Sequence, residues 1–159
     1  MKVLRKAFRL YIDASVHVAL AVASFTYVTA RVFSFQPDPI LIGFVFSSTV
    51  ASYNFMKYLP AGVSVFRQQS WMPIQVLALS IVCVVVSIIT LLFLPWEVII
   101  AASLLGIITL AYAMPVWDGK QNLRNTYGVK IGVIAAVWSG TTVGLPVLNH
   151  AEIIANGYW

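Results

Sequence analysis

Lys120, Arg124 and Lys130 fall within eleven positions of one another, with Asp118 as the one acid beside them. In a chain of 159 residues of which only 9% are charged, this is a concentrated patch of positive charge. Ammonium and guanidinium groups so placed make charge-assisted hydrogen bonds to phosphate oxygens. The stretch 57–72 adds Lys57 and Arg67 and no acid, while Asn54 and Tyr112, each at the end of an apolar run, supply neutral hydrogen-bonding groups. The five cations are candidates for holding an anion. The competing reading is that the cations set topology and touch lipid headgroups. A second polar constellation is Asp13 and His17, four residues apart, which on a continuous helix would share a face and each lower the cost of the other's charge. They are candidates for the lining of a polar cavity, or else satisfy each other at the headgroup level.

Other chemistry finds no signature. No GxGxxG, P-loop, HExxH, Cys/His cluster or Ser/His/Asp order is present, so no metal set and no catalytic residue can be named from the sequence. The single cysteine, Cys83, sits within an apolar run and reads as a packing residue.

A membrane is what must position these groups. At 60% hydrophobic, the chain exceeds the roughly 45–50% apolar usage of soluble domains. Its apolar runs approach or exceed the roughly 17–25 residues needed to cross a hydrocarbon core. The expected fold is all-α, a single polytopic transmembrane helical bundle over 1–159 with about five spans. The spans are placed at about 14–32, 40–56, 74–94, 98–117 and 131–148, after a basic amphipathic segment at 1–12 suited to an anionic membrane surface. Asp13 and His17 interrupt the apolar core that a cleavable signal peptide would need. Asp38 is placed as an N-cap with Pro39 at the first helical position.

The net charge of +5 could suggest nucleic acid, but the basic residues lie between apolar spans, which points to orientation instead. With the N-terminus inside, Lys2, Arg5, Lys6, Arg9, Lys57, Arg67, Lys120, Arg124 and Lys130 are cytosolic and only Arg31 is outside. Nine against one predicts a cytosolic N-terminus and an external C-terminus, and the membrane is expected to be a bacterial cytoplasmic (inner) one.

The stretch YAMP…LRN…GVKIG within 111–146, together with SYNFMKY at 52–58, resembles the UbiA superfamily of intramembrane prenyltransferases. The resemblance covers the apparent order of the first five helices, about the first half of that family's nine-helix fold. It implies an active site facing the cytosol, a prenyl diphosphate for which Lys57, Arg67, Lys120, Arg124 and Lys130, with Asn54 and Tyr112, are the binding candidates, and prenyl transfer to an aromatic or lipid acceptor. It also implies Mg²⁺ bound by two Asp-rich motifs. Here Asn54 matches the leading Asn of the first motif, but the family's carboxylates fall on Phe55, Tyr58 and Gly62, and the second motif would lie beyond Trp159. Neither a phenol nor a phenyl ring replaces a carboxylate on Mg²⁺. The Mg²⁺ ligands of the family are thus absent, no other cofactor is evident, and the chain is expected to be incomplete or inactive as a transferase. The alternatives are a non-enzymatic protein that binds a polyprenyl or quinone-like lipid, and a structural subunit of a membrane complex. Expected partners are membrane lipids, a prenyl diphosphate, and a completing chain or second copy, with no nucleic acid.

Overall fold

The computed structural model describes residues 2–58, 72–113 and 128–151, and every regular element among them is helical. The order is α1 Lys2–Asp13, α2 Val16–Val32, α3 Pro39–Tyr58, α4 Ile74–Leu91, α5 Trp96–Ala113, α6 Val129–Ser139, a π-helical turn Gly140–Gly144 and α7 Leu145–Asn149. Four units are long and apolar enough to cross a membrane, namely α3, α4, α5 and the continuous run Val129–Asn149; the bent α1–α2 pair would make a fifth. This is the architecture of an integral membrane protein. Ile81, Val82, Ile88 and Ile89 of α4 and Ile100, Leu104 and Ile107 of α5 are exposed, as a hydrocarbon surrounding requires.

One expectation is corrected at the start of the chain. The segment around Asp13 and His17 is not one helix, because Ser15 takes a left-handed conformation (φ 56°) and bends α1 from α2 by 65°. A non-glycine residue in that region costs about 1–2 kcal/mol. Ala14 and Ser15 are both buried at the corner, so packing holds the bend. Asp13 and His17 therefore lie on different helices. The exposed His17 ring lies against Tyr11, with centroids 5.8 Å apart.

Helix ends follow from local chemistry. α2 stops in a Schellman motif: Ser34 is left-handed (φ 59°), its N–H donates to Arg31 O, and the N–H of Phe35 reaches back to Ala30 O at 2.8 Å. Asp38 then caps α3, its Oδ1 accepting from the Ile40 N–H at 2.8 Å, with Pro39 at the first helical position. The other carboxylate oxygen accepts from Asn149 Nδ2 at 3.0 Å, tying the start of α3 to the end of α7. In the π turn, the N–H of Leu145 bonds Gly140 O, five residues back. Pro146, which has no N–H to donate, follows the turn at the start of α7. A side chain at Gly140 would meet Leu105 Cδ2 at 2.8 Å, so glycine lets this turn approach α5 closely.

Between helices, lipid is as apolar as a side chain, so packing and hydrogen bonds carry association more than hydrophobicity does. Ser87 Oγ donates to Ser47 Oγ at 2.9 Å, and Asn54 Nδ2 donates to Ser80 Oγ at 2.9 Å. Positions 47 and 54 on α3 face 87 and 80 on antiparallel α4, two rungs seven residues apart along one line of contact. The main core, Val22, Leu41, Phe44, Val45, Leu94, Val98 and Leu145, lies toward the end where α3 and α5 begin and α7 finishes. Toward the opposite end, the space between α3, α5 and α6 is open.

Candidate functional site

That opening is a cavity of about 490 Å³, within the roughly 300–1,000 Å³ range of small-molecule sites. Each helix contributes one face at helical spacing. α3 gives Thr49, Tyr53 and Lys57; α5 gives Ala102, Leu105, Gly106, Thr109 and Tyr112; and α6 gives Lys130, Ile134, Val137 and Trp138. Small side chains create the space, since Ala102, Gly106, Thr109 and Ala113 line α5 and Ser48 and Ser52 line α3. α6, which borders the void, has no buried residue at all.

The lining changes character along its length. Where α3 and α5 end and α6 begins, it holds Lys57, Tyr112 and Lys130. Midway, the Trp138 indole donates from Nε1 to Tyr53 Oη at 3.2 Å, which satisfies a donor that would otherwise be stranded within a span. At the far end are Val22, Phe44 and Leu145, all members of the apolar core. The cavity is thus cationic at one end and oily at the other.

Of the sequence candidates, Lys57, Tyr112 and Lys130 meet at this cavity, whereas Arg67, Lys120 and Arg124 lie outside the described residues. Lys57 Nζ also donates to the Asp13 carbonyl oxygen at 3.0 Å, and Tyr58 Oη to the same oxygen at 3.4 Å. Neither Asp13 nor His17 belongs to the lining; it is Ser15, at the corner between α1 and α2, that does. Asn54 is also placed elsewhere. It is fully buried against α4, bonded to Ser80 and with no partner for its Oδ1. The reason is register: Tyr53 and Lys57, four residues apart, face the cavity, which turns Asn54 to another side of α3. An Asn54→Leu variant is expected to melt within about 1 kcal/mol of the parent, since intramembrane hydrogen bonds average about 0.6 kcal/mol. Thermal unfolding in detergent checks this.

No family model, curated protein or solved structure matches the chain. The chemistry of the site is that of its own lining. Among the described lining residues there is no Asp, Glu, His or Cys, and two ammonium groups stand at the polar end. Such a donor set does not fit Mg²⁺, a hard cation that takes carboxylate and water oxygens. It fits an anion. The groups missed from sequence are Tyr53, Thr109, Trp138 and Thr141; Trp138, within a span rather than at its border, is the one with a sequence signal.

Proposed function

We propose that this membrane protein binds a long-chain amphiphile with a phosphate or diphosphate head, the head between Lys57 and Lys130 and the chain running toward Phe44 and Leu145. The observation that carries the reading is the joining, in one cavity, of two cations at one end to an apolar wall at the other. Ligand sites of this kind take affinity from the apolar walls and orientation from a few polar groups. Tyr112 and Tyr53 add hydroxyls along the path, and Trp138 adds a flat apolar surface.

The resemblance to UbiA prenyltransferases supports an isoprenoid as the chain, and together with the Lys/Arg distribution it supports a cytosolic lysine end. Under this reading the cavity holds the lipid, and its lining does not fit the metal-dependent step of that chemistry. Leaving-group departure from a diphosphate needs charge neutralisation beyond what two lysines open to water supply. Incubation with farnesyl diphosphate, Mg²⁺ and a panel of aromatic acids is therefore expected to yield no prenylated product. Binding is expected to be tighter for farnesyl diphosphate than for farnesol or inorganic diphosphate, because only the first engages both ends. Turnover would overturn the non-catalytic reading. Equal, weak binding of all three would favour a structural subunit.

A further inference from the structure

We propose that α1 is an in-plane surface helix that docks on an anionic lipid leaflet at the same end of the bundle as the cavity lysines. The geometry comes first. α1 leaves α2 at 65°, so it runs across the end of the bundle rather than continuing through it. It touches α4 as well as α2, and its last carbonyl, that of Asp13, accepts from Lys57 and Tyr58 at the end of α3. The helix is thus fastened at one terminus to the end of the bundle where α2 starts and α3 finishes.

Its side chains leave two faces uncovered by the protein. Leu4 is 77% exposed, Phe8 65% and Ile12 40%, and these recur every four residues along one side. Arg5, Lys6 and Arg9 are exposed on the adjoining side. A helix with such an apolar stripe beside a basic one lies at the boundary of acyl chains and headgroups, with its cations among phosphates. The basic side carries no exposed acid, since Asp13 is half-buried, so charge complementarity selects an anionic surface over a zwitterionic one. Docking there also holds the Asp13 carbonyl over Lys57, which fixes one wall of the cavity mouth. The inference stands whether or not the cavity binds an amphiphile.

Site-directed spin labelling of the full chain in nanodiscs tests it. Labels at Leu4→Cys, Arg5→Cys, Phe8→Cys and Arg9→Cys, on a Cys83→Ala background, are compared in phosphatidylcholine alone and with phosphatidylglycerol added. In the anionic discs, labels at 4 and 8 should be open to oxygen and shielded from an aqueous nickel chelate, and labels at 5 and 9 the reverse. The contrast should fade without phosphatidylglycerol. Replacing Arg5, Lys6 and Arg9 by glutamine should lower the docked-to-undocked ratio on the order of a hundredfold, about fivefold for each cation. Identical accessibility in both lipids would overturn the anionic docking. Spin–spin broadening between labels at position 8 of two copies, independent of lipid charge, would overturn it in favour of self-association.

Discussion

Replacing Lys57 and Lys130 together by alanine is expected to weaken binding of farnesyl diphosphate by about a hundredfold. Hydrogen bonds to charged groups contribute about 1.5–3 kcal/mol each. Both lysines are exposed, so the lower end applies, and about 1.4 kcal/mol for each is a factor of ten. Binding of farnesol, which carries no charge, should change little. The single variants should differ in one respect. Lys57→Ala also removes the bond to the Asp13 carbonyl and loosens the attachment of α1, whereas Lys130→Ala has no such bond to lose. Titration calorimetry on nanodisc-held protein separates these effects. Equal loss for the charged and uncharged ligands would mean that the substitutions disturb the bundle and not the head site.

Filling the cavity from α5 should act at the other end of the ligand. Gly106 lines the cavity, and a Cβ built on it meets nothing within 4 Å. A Gly106→Leu side chain therefore starts into open space, its Cβ clear of the protein. Helix propensity favours the change, since glycine in a helix interior is about 0.8–1.0 kcal/mol worse than alanine. The melting temperature is expected to hold or rise. A ligand chain competing for the same space would be overpacked, at a cost of typically about 1–3 kcal/mol, or roughly 5- to 150-fold in affinity. Farnesol and farnesyl diphosphate should both suffer, unlike in the lysine variant. A stable Gly106→Leu protein with unchanged affinity would place the chain elsewhere.

The helices were legible in sequence because their cause is additive along the chain. Eighteen residues of Ile74–Leu91 or Trp96–Ala113 with no charge beyond Glu97 state their length and environment without help from neighbours. The Asp38 cap was legible for the same reason, since it rests on three adjacent residues. The bend at Ser15 was not. Left-handed serine is locally unfavourable, and only the burial of Ala14 and Ser15 at the corner selects it. Apolar run length likewise says nothing about rotation, so Asn54 was grouped with Lys57 although they point to different neighbours. The cavity lies between these cases. Its Ala102, Gly106, Thr109, Ala113 face is readable as a stripe of small residues, but such a stripe serves close helix contact as readily as a void. Only the distance to α3 and α6 distinguishes the two.

The most direct test of the amphiphile-binding account is photo-crosslinking with a farnesyl diphosphate analogue bearing a diazirine near the end of its chain. The reconstituted protein would be irradiated, digested and mapped by mass spectrometry, with and without excess unlabelled ligand. The account predicts adducts on the cavity faces of α5 and α6, around Leu105, Gly106, Val137 and Trp138, that are lost on competition and in Gly106→Leu. Adducts confined to the exposed outer surface of α4, at Ile81, Val82, Ile88 and Ile89, and insensitive to competitor would contradict it.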